Sequence, residues 1–466
     1  MQRDGHSCER ARCGYRLRMA LSGRKERVAR GRALRESLPW SSHAAWPALA
    51  QRPRPIDLLE QSHERRLPEL EAVRWGRMLV SPFTFLRGSA MVMAWDLAHV
   101  AHGELYVQAC GDAHLCNFGV FATPERRLIF DLRDFDETLP APWEWDVKRL
   151  GASIVVAGRE RGLSRGRIEE AVRVCLRDYR ETMRASLELT HLEIWYRRVD
   201  TEELLQSAWR KARRYAKRAL KKARRRTSRR EMEKLTVVTG GTRHIRPQPP
   251  LIFELEDQHA RDVAAGLFGE YAATLSPDRR LLFDRYRLID LAYRVVGVGS
   301  VGTRCMVALF AGDADDDPLF LQMKEASRSV LEPFARRCPY PNQGERVVQG
   351  QRIIQAASDL FLGWKRSHGH DYYVRQLKDM KGTIDVADLD PNVFVLFAGL
   401  CGRTLAQAHA RSGDFCGIAG YLGKDDQFDV AVTQFAHAYA DQTLRDHDAL
   451  ADAVRGGRLP VELGVH

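Results

Sequence analysis

The run Gly297-Val298-Gly299-Ser300-Val301-Gly302 places three glycines in six positions, a backbone able to turn sharply and to approach a ligand closely. A dinucleotide-binding turn needs a helix straight after such glycines, so that the helix N-terminus faces a pyrophosphate. Here Thr303 to Phe310 reads as a strand, Asp313 to Asp317 as an acidic turn, and Leu319 to Lys324 as a second strand. The pattern predicts a β-hairpin entered through glycines, with Lys324 ending the next strand where it can reach phosphate oxygens. Glycine runs also serve plain structural turns, and a lysine ending a strand is commonly only solvated. The pairing of the two features is what points to phosphate.

A second constellation lies far upstream. Glu104 to Cys110 reads as a strand running into the loop Gly111-Asp112-Ala113-His114-Leu115-Cys116-Asn117. Asp112 and Asn117 stand five residues apart, the spacing phosphoryl transfer uses for a carboxylate that orients an acceptor hydroxyl and an amide oxygen that holds Mg²⁺. A hairpin follows, with strands at Phe118 to Phe121 and Leu128 to Leu132. Asp131, Asp134, Asp136 and Glu137 then put four acids in seven positions, which repel one another unless a cation sits among them. Two rulers choose differently within this cluster. Asp131 lies fourteen residues after Asn117, near kinase spacing, whereas Asp134-Phe135-Asp136 stands twelve residues before Asp146 at the start of a predicted helix. The order adopted is Asp134, then Asp131, with Asp136 as a further candidate. His114 and Cys116 also admit a metal-ligand reading with Asp112. The Gly-Asp-x-His fragment is similar to metallophosphoesterases, but their other ligand motifs are missing, so His114 is read as a support of the loop.

The net charge of +12 has one local source. Thirteen Lys and Arg residues fall between Arg210 and Arg230 with no acid among them, leaving the rest of the chain near neutral. Ala212, Tyr215, Ala216, Ala219, Leu220 and Ala223 recur at helical spacing, so the segment reads as one basic helix. It could meet a polyanion, cover an anionic ligand or simply be solvated. Nine scattered cysteines without a CxxC pair fit reduced thiols. No apolar run long enough to cross a membrane is evident, and the chain is expected to be cytoplasmic. Composition shifts suggest four regions: a loosely ordered basic leader over 1–50, a helical lobe over 51–240, a β-rich lobe over 241–390 opening at Gly240-Gly241, and C-terminal helices over 391–466.

Arg87-Gly88, the run from Cys110 to Gly119, Asp134 to Thr138 and Trp145 to Leu150 together resemble the bacterial "domain of unknown function 2252" family. So do Gly297 to Arg304, Leu321 to Ala326 and Tyr439 to Gln442, and the resemblance spans about residues 29 to 457. The Asp134-Phe135-Asp136 run with Asp146 is further similar to aminoglycoside-phosphotransferase-like kinases. The resemblance implies a relation to the protein-kinase-like superfamily and an α+β, bilobal fold. Because the Asp112 loop precedes the glycines, the reverse of the kinase order, the expected fold is circularly permuted, which is permissible where domain termini lie close together. Phe394 to Ala410 then reads as the helix that runs ahead of a catalytic loop.

The expected protein is therefore an ATP- and Mg²⁺-dependent phosphotransferase with an unspecified acceptor, nucleotidyl transfer remaining open. Gly297, Gly299, Ser300 and Gly302 would cover phosphates and Lys324 would pair with them, held by Glu345 on a following helix. Asp112 would orient the acceptor, and Asn117 with Asp134 would hold Mg²⁺. Two alternatives stand beside this: a nucleotide-binding module without catalysis on the same fold, and a nucleic-acid or other polyanion binder acting through residues 210–230.

Overall fold

The computed structural model describes residues 22–465 apart from 48, 208–209, 255–265, 267, 296, 315 and 378. Within it, the segment after the glycines forms the expected hairpin. Cys305–Ala311 pairs antiparallel with Pro318–Glu325, and the register sets Cys305 opposite Lys324. That pairing holds the lysine at the glycine end of the hairpin. Pro318–Glu325 is buried along its whole length, so both faces of its sheet are covered. Met306, Ala308, Phe310, Leu319 and Leu321 pack on one side with Tyr271, Phe283 and Phe361. Val307, Leu309 and Phe320 pack on the other with Met232, Ile245 and Ile252. The alternation is the two-residue period of a strand. The full sheet is six-stranded and antiparallel, in the order Gly363–Ser367, His370–Gln376, Pro318–Glu325, Cys305–Ala311, Arg287–Arg294, Ile252–Glu254. Along the chain, helix Gln343–Ile354 falls between Pro318–Glu325 and Gly363–Ser367, and the Asn342 side chain caps it by accepting from the Glu345 N–H at 3.0 Å.

The other half of the molecule is mainly helical. Trp143–Glu160, Arg165–Ala185, Pro391–Ser412, Phe415–Leu422 and Gln427–Arg455 share one core through residues such as Leu150, Val172, Leu405, Ile418 and Phe435. Pro391–Ser412 is the helix expected around Phe394 to Ala410. It is long and apolar enough to cross a membrane, but 83% of its apolar window is buried inside the fold. Its close approach to Arg165–Ala185 depends on Gly402, where a Cβ would lie 2.0 Å from the Cys175 carbonyl oxygen. Against these helices rest two small sheets. Tyr106–Ala109 pairs with Leu139–Pro142, and the hairpin Phe118–Ala122/Leu128–Leu132 is flanked by Gly382–Thr383 and Val199–Asp200. The architecture is mixed α and β with several sheets. The seven described cysteines are all free.

Three segments differ from the sequence reading. Residues 1–21 lie outside the described residues, but the supposed loose leader contains helix Arg24–Ser37, docked on Phe415–Leu422. Glycine makes that contact possible, since a Cβ on Gly31 would sit 2.0 Å from the Gly417 carbonyl oxygen, and Arg27 pairs with Asp414 at 3.1 Å. The basic segment is two helices, Arg210–Arg224 and Ser228–Leu235, because Thr227 caps the second and interrupts the first. The first buries Ala212, Leu220 and Ala223, the thin stripe that the spacing predicted. Gly240-Gly241 is no linker. With φ of 58° and 78° they form the two-residue turn between Thr236–Thr239 and Thr242–Ile245. Since Met232 and Leu235 already pack against the large sheet, the passage into the β-rich half comes by about Ser228, ahead of the expected 240.

Candidate active site

The loop that carries Asp112 is held from beneath. Gly111 has φ of 82°, and a Cβ there would meet the Glu137 carbonyl oxygen at 2.3 Å, so only glycine fits. Asp146, in the first turn of helix Trp143–Glu160, accepts the Cys110 and Gly111 N–H groups at 2.6 and 2.9 Å. His409 Nε2 lies 3.2 Å from the same carboxylate, with Tyr179 OH 2.8 Å from its other ring nitrogen. Asp112 is fixed through one oxygen: Oδ1 takes the buried Arg149 Nε at 2.6 Å. Arg149 also donates to the Leu86 carbonyl at 2.9 Å. Oδ2 faces His114 Nε2 at 3.7 Å and stays available. Burial raises the Asp112 pKa, and Arg149 opposes that rise. Burial, reinforced by Arg87 and Arg149, pushes His114 well down, so its imidazole is neutral. Among the described residues no three of His, Cys, Asp and Glu gather as a metal cage, which removes the His114–Cys116–Asp112 ligand reading.

Asn117 clips two loops together. Its Nδ2 donates to the Asp112 and Asp134 carbonyls, both at 3.1 Å, and its Oδ1 accepts the Asp134 N–H at 2.7 Å. The same clip turns the Asp134 carboxylate toward the cleft, where it is exposed and has no hydrogen-bond partner among the described residues. The surrounding protein, then Asp136, raise its pKa. Lys324 and Arg375 oppose that rise. The acids expected to converge do not gather as a metal cage among the described residues, which leaves Asp134 and the Asn117 amide as the groups that could hold a cation here.

Lys324 enters from the sheet and is 3% exposed. It pairs with Asp136 and donates to Ser300 Oγ at 2.6 Å. Ser300 Oγ in turn donates to Asp136 Oδ2 at 3.1 Å, and Tyr373 OH to Oδ1 at 2.9 Å. Tyr373 stands opposite Lys324 in the sheet register, which explains why both reach one carboxylate. Burial alone would raise the Asp136 pKa, but Lys324, Arg375 and the Tyr373 hydroxyl hold it at about 2. Asp136 likewise keeps Lys324 protonated against its burial. From helix Gln343–Ile354 the buried Arg346 donates to the Asp136, Thr138 and Ser327 carbonyls at 2.8 Å each, joining the two halves.

Two expected site residues fall elsewhere. Asp131 is buried outside the cleft, where Oδ1 accepts its neighbour Leu132 N–H at 2.9 Å and Oδ2 the Ala356 N–H at 3.0 Å. It ties the hairpin to the end of helix Gln343–Ile354. Glu345 is not a partner of Lys324; its own contact is Gln349, and burial raises its pKa. The glycine run is divided as well. Gly297, Gly299 and Ser300 line the cleft, whereas Gly302, at φ of 85°, turns against the Arg66 side chain. Arg66 donates to the Gly299 and Val301 carbonyls, and the Gly302 carbonyl accepts the Leu67 N–H at 2.7 Å. The residues missed from sequence are Arg149, Tyr373, Arg346 and Arg66. Only Arg149 carried a signal, three residues after Asp146 on the same helix.

These groups meet in one cleft of about 400 Å³ between the sheet and the helical half, lined by Asp112, Asn117, Asp134, Asp136, Lys324 and residues 297–300 of the glycine run. Residues 66–453, well over half of the chain, match the family described as an uncharacterised protein conserved in bacteria (DUF2252), and the chain belongs to that family. No curated protein and no solved structure matches the chain.

Proposed function

With that membership as the premise, we propose that the chain is an ATP- and Mg²⁺-dependent phosphotransferase of kinase-like, circularly permuted fold. The observation that carries this reading is the meeting, in one cleft, of Gly297–Ser300 and Lys324 from the sheet with Asp112 and Asp134 from loops about two hundred residues earlier. Counted from Arg287–Arg294, Lys324 ends the third strand and a helix follows, which is where kinases carry their phosphate-binding lysine.

In this reading Gly297, Gly299 and Ser300 line the cleft at the phosphates, and Lys324 exchanges Asp136 and Ser300 for phosphate oxygens. Asp112, aligned by Arg149, accepts the acceptor's hydroxyl proton at Oδ2. The acceptor oxygen bonds to the γ-phosphorus as the bond from that phosphorus to the β–γ bridging oxygen breaks, releasing ADP. Asp134 with Asn117 would hold Mg²⁺, which supplies positive charge against the phosphate oxygens. Positioning and electrostatics are the main contributions such a protein makes to phosphoryl transfer.

Thermal-shift measurements with ATP, with and without Mg²⁺, followed by mass spectrometry for a phosphorylated or adenylylated product, test the reading. Asp112→Asn is expected to retain ATP affinity and lose turnover by orders of magnitude, whereas Lys324→Ala weakens nucleotide binding. Absence of any nucleotide-dependent stabilisation overturns it. One observation favours a second reading, a nucleotide-binding module without transfer: Ser300 and Asp136 already engage Lys324. ATP binding without any product would select that alternative.

A further inference from the structure

We propose that the outward face of helix Arg210–Arg224 docks double-stranded DNA through the phosphates that wall its major groove. The inference goes beyond the phosphotransferase reading and does not depend on it.

The helix is fixed from behind. Ala212, Leu220 and Ala223 are buried and join the core of the helical half. Three of its own cations also hold it in place. Lys211 pairs with Asp390 at 2.5 Å, Arg213 donates to the Leu205 and Gln206 carbonyls at 2.8 and 3.1 Å, and Arg224 lies 3.8 Å from Glu202. The other six, Arg210, Arg214, Lys217, Arg218, Lys221 and Lys222, are exposed and have no hydrogen-bond or ion-pair partner among the described residues. With successive residues about 100° apart, these six fall within an arc about 140° wide that lies opposite the buried stripe and extends over about 18 Å of helix axis. Every residue on that arc is Lys or Arg.

What this face has, and what it lacks, selects the occupant. Arg210 and Arg214, Arg214 and Arg218, Lys217 and Lys221, and Arg218 and Lys222 are like charges four residues apart, which destabilise the helix until an anion meets them. A DNA duplex supplies one negative charge per about 1.7 Å of its axis and releases condensed counterions when cations replace them. Its major groove, about 12 Å wide, admits an α-helix between two phosphate strands, and so broad a cationic arc reaches both walls. The major groove of duplex RNA is too narrow for that. The arc carries no aromatic side chain on which single-stranded bases could stack, and no apolar side chain to enter a lipid surface. Contacts to phosphate therefore dominate, and base sequence contributes little.

The test uses the full chain and a fluorescein-labelled DNA duplex of about 20 base pairs, titrated by anisotropy between about 50 and 200 mM salt. Saturable binding is expected, with log K falling against log salt at a slope of about −5 when all six cations meet phosphates. The triple variant Arg214→Gln, Lys217→Gln, Lys221→Gln should make that slope shallower by about 3 and weaken binding at least about tenfold. Changing Arg167, Arg280 and Arg455 to Gln removes the same charge from cations that face Glu170, Asp284 and Asp452, and should shift the slope by less than about 1. Lys217→Arg with Lys221→Arg keeps the charge and should bind as wild type, which separates phosphate contact from a folding defect. The single strand, an RNA duplex of the same sequence, and vesicles of phosphatidylserine and phosphatidylcholine should each bind at least about tenfold more weakly than the DNA duplex. A slope shallower than about −2, equal losses in the two triple variants, or a single strand, RNA duplex or vesicle bound as tightly as the DNA overturns the proposal.

Discussion

Replacing Asp136 with Asn breaks the most heavily engaged ion pair in the cleft. Lys324 is 3% exposed, so the substitution leaves a buried ammonium facing an amide, with Ser300 Oγ as its remaining hydrogen-bond partner. Removing one member of a buried pair costs about 3–5 kcal/mol. The side chain of Asp136 is 26% exposed, however, and Asp134 lies near enough to attract the same lysine, so the lower end applies. An independent figure agrees: depression of the Asp136 pKa from 3.8 to about 2 corresponds to about 2 kcal/mol at neutral pH. Since the folded-state value lies below the unfolded one, this contribution is present above pH 3.8 and is lost as the pH falls toward 2. Urea unfolding at pH 7 should therefore show a loss of about 2–3 kcal/mol in Asp136→Asn, and the variant should lose part of the wild type's steepness between pH 4 and 2. Lys324→Met, which strands the carboxylate, should cost a similar amount, and the double variant should recover at least about 1 kcal/mol relative to the sum. A single-variant loss below about 0.5 kcal/mol, or strict additivity in the cycle, would refute the coupling.

Asp134→Asn removes a repelling charge, so the ligand-free protein should melt no lower than wild type while losing most of its Mg²⁺-dependent stabilisation by ATP; an unchanged Mg²⁺ response would remove Asp134 from the metal site. Burial lifts Glu137 to about 7 from 4.5, so its charged form opposes folding increasingly as the pH rises across that interval. Glu137→Gln, which keeps an acceptor for the Val330 N–H, should flatten that part of the stability profile, and an unaltered profile would contradict it. Lys217, Arg218, Lys221 and Lys222 are exposed, so changing all four to Gln should alter stability little, leave ATP binding intact and reduce both polyanion affinity and its salt slope. Loss of ATP binding in that variant would instead make the helix a cover for the nucleotide. Gly31→Val, whose Cβ would meet the Gly417 carbonyl oxygen, should free helix Arg24–Ser37 and expose it to limited proteolysis, and a protease-resistant variant would show that the contact is dispensable.

The parts of the fold legible in sequence were those written as short continuous apolar runs bounded by turn residues. Residues 305–311 and 318–325 bury successive side chains on opposite faces of one sheet, and the turn between them is acidic, so both strands and their connection could be read. Helix Arg24–Ser37 was illegible because its docking uses glycine against backbone and an Arg27–Asp414 pair, neither of which leaves an apolar period. In the basic segment the charge pattern ran on through Thr227, concealing a capping residue that ends one helix and begins another. Gly240-Gly241 offered two meanings, linker and hairpin turn. The flanking β-branched residues, Val237, Val238 and Thr239, favour the turn on local grounds, but the neighbouring prolines drew the reading toward a junction.

Within the site, Asp112, Asn117 and Asp134 were legible because short loops fix their separations, whereas the partner of Lys324 depends on how two distant halves dock. Spacing alone favoured Glu345, twenty-one residues downstream. Consecutive residues on a helix point about 100° apart, so Glu345 and Arg346 cannot both face the segment from Asp136 to Thr138. Arg346 faces it, donating to the Asp136 and Thr138 carbonyls. The helix thereby presents a cation where a carboxylate was expected, and a second cation from Lys324 at the same place needs an anion from the opposite half. Asp136 meets that requirement, with its carbonyl fixed by Arg346 and its carboxylate by Lys324, Ser300 and Tyr373. The acid that pairs with the lysine is therefore chosen by the direction Arg346 takes at the interface, information that no spacing along the chain contains.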